Sequence, residues 1–339
     1  MGSIQYEIYD ELFNYFGQTP LFMSYSGIGR RLREFYEYKV KSTRDLLLQG
    51  ELGFLLGGII EEVTGRNPYF WYRQKAGKDR FVTRSVRDHE MWIDLYDRGL
   101  SRHLFIRGVH EREATEAYRD ALLNLRGTVD EKITVLEVGA NIGYYVLEEA
   151  QVLGNTASII AFEPDPQNQE LLERNVAHNG YTDQVELSTK AVDTTSGERT
   201  FHRSTHSNWN RLEQDDETGN VDQLVDSYPV ETTNLDDFLF EREIDPNAVG
   251  ALRMDLEGHE LHVLEGMDEI LQADEPMVLF VEFHPAFVGR ESYESAISML
   301  ESHGFEITFA DRSLEVLDID SFDRLRSVHG SHVRVIFSR

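Results

Sequence analysis

Four ionisable side chains stand in two closely spaced pairs: Asp255 and Glu257 in "RMDLEGHE", and Glu282 and His284 in "VEFHP". Each pair closes an apolar run that reads as a strand, so a spacing of two sends both side chains of a pair off one face, and Pro285 ends the second strand. Groups of this kind at two strand ends suit an acceptor that must lose a proton as it reacts. His284 has the intrinsic pKa best matched to a general base, with Asp255 the runner-up, whereas a carboxylate acceptor needs no base. The plainer reading has His284 bonding within the sheet end and Glu257 orienting backbone. Asp255, Glu257 and Glu282 also suit Mg²⁺, and His259 and His262 stand at i and i+3, but nothing fixes a full ligand set and no metal is expected.

A second constellation is the glycine-rich stretch "VLEVGANIGYY", residues 135–145. Apolar residues lead into Gly139, Ala140, Asn141 and Gly143, then a helical pattern follows, so strand, tight turn and helix N-terminus bring backbone N–H groups to a ligand. Glu163, followed by Pro164, closes the next apolar run 20 positions after Gly143. There a carboxylate accepts both ribose hydroxyls of an adenosine, in NAD and S-adenosylmethionine alike. The loop separates the two. A dinucleotide fingerprint needs G-x-G-x-x-G, but Asn141 and Tyr144 occupy its second and third glycine positions, giving E-x-G-x-N-x-G. Asn replaces Gly well where φ is positive, and a ligand without a pyrophosphate needs no glycine inside the helix.

The elements that must position these residues alternate. Strands are expected at 133–138, "ASIIAFEP", "VELSTKAV", "ALRMDL", "MVLFVEF", "FEITFAD" and "HVRVIFSR", and helices at 144–153, "PQNQELLERNVAHNG", "HELHVLEGMDEILQ" and "ESAISMLESHG". This implies a largely parallel, doubly wound α/β sheet with ligands at the C-terminal strand ends. Before it come the strands "RFVTRSV" and "EMWIDLYD" and a segment "SRHLFIRGVHEREATEAYRDALLNL" whose second half is helical. A polar segment, 203–228, reads as an acidic loop, or as a lid carrying His206, Asn208 and Trp209. Residues 1–80 read as a helical extension and 81–339 as the catalytic domain.

In its blocks "GVHERE", "VLEVGANIGYY", "AFEPDPQNQELLERNV", "STKAVDTTSGERTFH", "VETTNLDDFL", "LRMDLEGHELHVLEGM" and "FVEFHP", the chain resembles the FkbM family of S-adenosylmethionine-dependent methyltransferases over roughly 85–339. The resemblance implies a class I methyltransferase fold, a Rossmann-like seven-stranded sheet ending in an antiparallel hairpin. It also implies methyl transfer to oxygen, often on sugars, glycans or other small-molecule hydroxyls. Glu137, where Asp is common in the family, is then placed to hold the methionine ammonium, or else to steady the loop. Lys190 and Ala191 are implied to flank the adenine, and Glu111 to border the methionine end. An NAD-dependent oxidoreductase is the rival enzyme, disfavoured by Asn141 and Tyr144. A non-catalytic scaffold in glycan assembly is the other alternative, disfavoured by an intact Glu163 and Asp255.

Composition narrows the setting. The 339 residues carry 61 Asp plus Glu against 33 Lys plus Arg, a formal charge of −28, the reverse of a nucleic-acid binder. Such acidity keeps a protein hydrated at molar salt, where the Debye length falls to about 3 Å, so a salty cytoplasm is expected. With no cysteine, disulfides and Cys-based metal sites are excluded. No secretory signal is read at the N-terminus, and the longest apolar run, "GFLLGGII" at 53–60, is too short for a bilayer. Residues 30–44 are locally basic, with Arg30, Arg31, Arg33, Lys39, Lys41 and Arg44 against Glu34 and Glu37. Basic charge beside that apolar run allows peripheral membrane or lipid-linked-substrate contact through 30–64; a covered helical face or homodimer interface is the alternative.

Overall fold

The computed structural model describes residues 60, 68–76, 79–213, 224–284, 290–311 and 332–339. The chain divides into two units, Met1–Tyr69 and Phe70–Arg339. The expected N-terminal helices, the basic stretch 30–44 and the apolar run 53–60 lie, Ile60 apart, outside the described residues.

Helix α1 (Pro68–Ala76) precedes an antiparallel hairpin, β1 (Phe81–Val86) and β2 (His89–Asp94). Two helices follow, α2 (Leu100–Arg107) and α3 (Arg112–Thr128), so the first half of the segment carries a helix as well as the second. Gly108 breaks them by taking φ 66°, which a side chain would resist.

The alternation then runs β3 (Ile133–Val138), α4 (Tyr144–Leu153), β4 (Ala157–Phe162), α5 (Pro166–His178) and β5 (Val185–Ser188). After an interruption it resumes with α6 (Leu235–Glu241), β10 (Val249–Met254), α7 (Glu260–Glu265), α8 (Asp268–Gln272), β11 (Val278–Phe283), α9 (Arg290–Ser302), β12 (Glu306–Ala310) and β13 (Val333–Ser338). The seven-stranded sheet has the order β12-β13-β11-β10-β3-β4-β5, parallel except where β13 pairs with β11 and β12. Counting only the strands of this sheet, that is the 3-2-1-4-5-7-6 order of the class I methyltransferase fold, read from the β5 edge, with the expected antiparallel hairpin. Strands β3, β10 and β11 are buried along their whole length, which is why they read as continuous apolar runs and not as alternating ones. Among the described residues, one apolar core lies between the sheet and α6 to α9, around Leu136, Leu252, Leu279, Phe238 and Leu264.

Three expectations need correction. "VELSTKAV" is not one strand: it splits into β5 and β6 (Ala191–Val192), which belong to different sheets. "HELHVLEGMDEILQ" is two helices, because the chain turns at Gly266, where an added Cβ would lie 3.0 Å from the carbonyl of Asp193. The 203–228 segment holds the end of β7 (Gly197–Ser204), β8 (Arg211–Leu212) and the start of β9 (Leu224–Thr233). These strands form a second sheet, β6-β9-β7-β8, whose small core is Ala191, Phe201, Leu212 and Val230.

Candidate functional site

Between β3 and α4 the chain turns through Gly139 at φ 82°, Asn141 at φ 51° and Gly143 at φ 90°. The amides of Gly139 and Ala140 both donate to the carbonyl of Phe162 at 3.0 Å, drawing the loop onto the end of β4. A Cβ on Gly139 would lie 2.4 Å from the carbonyl oxygen of Asp255, so glycine is required where β3 and the end of β10 meet. On Gly143 it would lie 2.6 Å from Leu172, which packs α5 against α4. Tyr144 fills the third glycine position of a dinucleotide loop with a buried ring whose hydroxyl donates to the His110 carbonyl at 2.9 Å.

Glu163 follows β4 and is 4% exposed. One carboxylate oxygen accepts from the amide of Asn141 and the other from that of Asp165, both at 2.8 Å. Burial, helped by the charge of Asp165, pushes its carboxyl up to about 8. The cap of α5 is Asp165, which accepts from Gln167 and Asn168 with Pro166 in the first turn. Glu163 therefore does not cap that helix and remains in the wall of a cleft.

That cleft encloses about 840 Å³ including open solvent. It brings together Gly139, Ala140, Asn141, Glu163, Pro164, Lys190, Ala191, Asp255 and Glu257. Phe162, Val192, Phe201 and Leu212 give it an apolar side. Asn208, Asn210 and Arg211 form the wall contributed by the second sheet and its short connecting turn. Three of the buried nitrogens without a hydrogen-bond partner among the described residues, Nδ1 of His110, Nδ1 of His259 and Nε of Arg253, belong to residues of this lining. An apolar slot, a carboxylate midway and polar groups beyond fit an adenosine carrying a charged tail.

Glu137, Gly143, Glu282 and His284 are not in the lining. Glu137 stands opposite Arg253 in the β3–β10 register and accepts from its Nη1 at 2.7 Å. Burial pushes its carboxyl up to about 7 against the pull of Arg253. Arg253 is the residue of this pair that reaches the cleft; it also donates to Asp255 at 3.3 Å and lies 3.7 Å over the ring of Tyr145. Glu282 is buried on β11, with both oxygens taken by Arg334 at 3.0 Å, its cross-strand partner. Glu111 accepts from Tyr145 at 2.9 Å and pairs with Arg334, sharing that buried network. Lys190 faces Glu241 at 3.3 Å.

His284 lies behind Asp255 and Glu257. Its Nδ1 is 2.8 Å from Glu260, and its Nε2 is 3.5 Å from Glu257 and 4.0 Å from both Asp255 and Glu282. Burial opposes its charge, yet Glu257 and Glu260 hold it well above the usual imidazole range. Burial and the charges of Asp255 and Glu260 push Glu257 up to about 8, although His284 opposes this. Asp255 and Glu257 reach one space because Glu257 adopts φ 52°, not because a strand continues through them.

His259 bonds Asp193 at 2.9 Å and stacks on His262 with centroids 4.3 Å apart. The 207–210 turn is tied down: Asp97 accepts from the amide and hydroxyl of Ser207, each at 2.9 Å. A Cβ on Gly99 would lie 2.2 Å from Asn208. His206 stacks on Trp209 at 4.1 Å.

Arg253, Arg334, Glu260 and Asp97 escaped sequence reasoning. Arg253 carried a signal, standing two before Asp255 and so on the same strand face; for the others the spacing offers none.

The family model described as the methyltransferase FkbM domain matches residues 137–307. No curated protein matches the chain. Among solved structures, TYW2 of M. jannaschii in complex with AdoMet is similar at 11% identity, covering 77% of this chain and 86% of that one with a TM-score of 0.39. The O-methyltransferase from Bacillus cereus in complex with SAH is similar at 11% identity, covering 68% and 81% with a TM-score of 0.38. These likenesses are distant, and the assignment stands on the family model together with the strand order and glycine loop. The chain belongs to the FkbM family and is an S-adenosylmethionine-dependent methyltransferase.

Proposed function

We propose that the enzyme methylates an oxygen of a sugar or glycan, a hydroxyl in preference to a carboxylate. The observation that carries this reading is the acidic end of the cleft, where Asp255 and Glu257 face the lining beside Asn208, Asn210 and Arg211. Neighbouring carboxylates accept hydrogen bonds from paired hydroxyls and repel a uronate. Glu163 would hold the ribose, the Gly139–Asn141 backbone would border the nucleoside, and Arg253 and Asp255 would face the methionine end. When bound, the cofactor supplies a sulfonium methyl open to in-line displacement. The protein's part is to place the acceptor oxygen on that line and take its proton at Asp255 or Glu257, steadied by His284 behind them. The charge of −28 supports work in a salty cytoplasm. Membrane contact or dimerisation through 30–64 is part of the same proposal and concerns residues that, Ile60 apart, lie outside those described.

Calorimetric titration in concentrated KCl with S-adenosylhomocysteine, and separately NAD, tests the cofactor half. Glu163→Ala should weaken S-adenosylhomocysteine binding at least tenfold, about 1.4 kcal/mol; unchanged affinity removes the ribose role. Methyl label transferred to glycans tests the acceptor: an ether label survives mild base and an ester label does not. Base-labile label would shift the reading to carboxylates.

A further inference from the structure

We propose that Asp255, Glu257 and His284 form a divalent-cation site at the acceptor end of the cleft. One ligand atom from each, a carboxylate oxygen of Asp255 and of Glu257 and a ring nitrogen of His284, lie within 4.8 Å of one another. From Nε2 of His284 the separations are 3.5 Å to Glu257 and 4.0 Å to Asp255. Good hydrogen bonds are shorter, whereas neighbouring ligands held about 2.2 Å from one ion stand roughly 3 to 4 Å apart.

The set is more than a group of surface acids, because one member is an imidazole only 5% exposed and oriented from behind. Glu260, itself wholly buried, accepts from Nδ1 of that ring at 2.8 Å and from the amides of Leu256 and Gly258, each at 3.1 Å. A carboxylate on the far nitrogen is how ligating histidines are commonly held: it makes Nδ1 the donor and turns Nε2 toward the metal. The other two ligands are available. Arg253 engages Oδ2 of Asp255, leaving Oδ1 toward His284. No described residue donates a hydrogen bond to the carboxylate of Glu257, whose partner is the His284 ring.

Glu282 stays out of the set, since Arg334 takes both its oxygens. His332 lies beside it, with Nδ1 3.4 Å from Glu282 and its ring centroid 6.1 Å from that of His284. Asp255 and Glu257 line the cleft while His284 backs them, so three protein ligands cover one side of the ion and its remaining positions open to the acceptor. Two carboxylates and one imidazole, in a chain without cysteine, suit Mg²⁺ or Mn²⁺. A cation there would lower the pKa of a hydroxyl placed on it. With the cation bound, Asp255 and Glu257 serve as its ligands in place of accepting the proton: the hydroxyl proton passes to water, the O–CH₃ bond forms as the S–CH₃ bond breaks, and S-adenosylhomocysteine leaves. That consequence rests on the hydroxyl acceptor proposed above; the binding of a cation does not.

The test is a titration of the full chain, stripped with EDTA and held in about 2 M KCl to screen the surface acids, with MnCl₂ followed by calorimetry and water-proton relaxation. One saturable site is expected, weakened at least about tenfold in Asp255→Asn and in Glu257→Gln and kept in Glu198→Gln, an exposed control on β7. Absence of a saturable site up to about 1 mM Mn²⁺, or equal affinity in all three variants, would overturn the site. S-adenosylhomocysteine is titrated into the same samples: if it binds while Mn²⁺ does not, the cation site falls and the methyltransferase reading stands.

Discussion

Glu163 shows how one side chain serves structure and ligand together. Its carboxylate clamps the glycine loop to the start of the α5 cap, and burial leaves it with a pKa of about 8. The folded protein therefore keeps a proton there that the unfolded chain releases near the ordinary carboxylate value. Its contribution to stability is fully present below that value and is lost as pH rises through about 8. Denaturation of the unliganded protein at constant high KCl should show stability falling across that window, and Glu163→Gln should flatten the fall; a wild-type slope in the variant would contradict it. Glu163 and the glycine loop were legible because cofactor contacts of this kind depend on spacing along one strand–turn–helix unit. The surroundings of His284 were not. Glu260 comes from α7 whereas His284 follows β11, and the opposition of Glu137 to Arg253 and of Glu282 to Arg334 is set by pairing between strands far apart in sequence.

Strands and helices of the main sheet were legible because buried parallel strands are nearly continuous apolar runs between helical patterns. The second sheet was hidden: β7 and β9 are largely polar, and Phe201, Val230 and the half-buried Tyr228 are the residues of these two strands that mark its core. Yet this sheet and its turn build the cleft wall opposite the glycine loop, held by Asp97 on Ser207 and by the close approach of Gly99 to Asn208. Gly99→Ala places a methyl where Asn208 and the Ser207 amide already are, and should cost about 1–3 kcal/mol in thermal unfolding. It should also weaken S-adenosylhomocysteine binding by moving the wall; a variant with unchanged Tm and unchanged affinity would show that the turn moves aside freely.

For the whole molecule the governing quantity is a charge of −28. Self-repulsion of that size weakens a compact state in dilute buffer and is screened at molar salt, so Tm should rise as KCl goes from about 0.1 to 2 M. A flat or falling Tm would remove the case for a salty setting. Among the described residues no helix is long and apolar enough to cross a membrane. The strut between Asp97 and Ser207 spans 110 positions of sequence. Closing so long a loop is entropically costly and is repaid only when the intervening sheets are in place. The glycine loop and Glu163 are local and can form early; the pocket they serve is completed by a contact of high sequence separation. In a chain emerging from synthesis, cofactor competence is thus a late property, acquired only after the last contributing strands have found their partners.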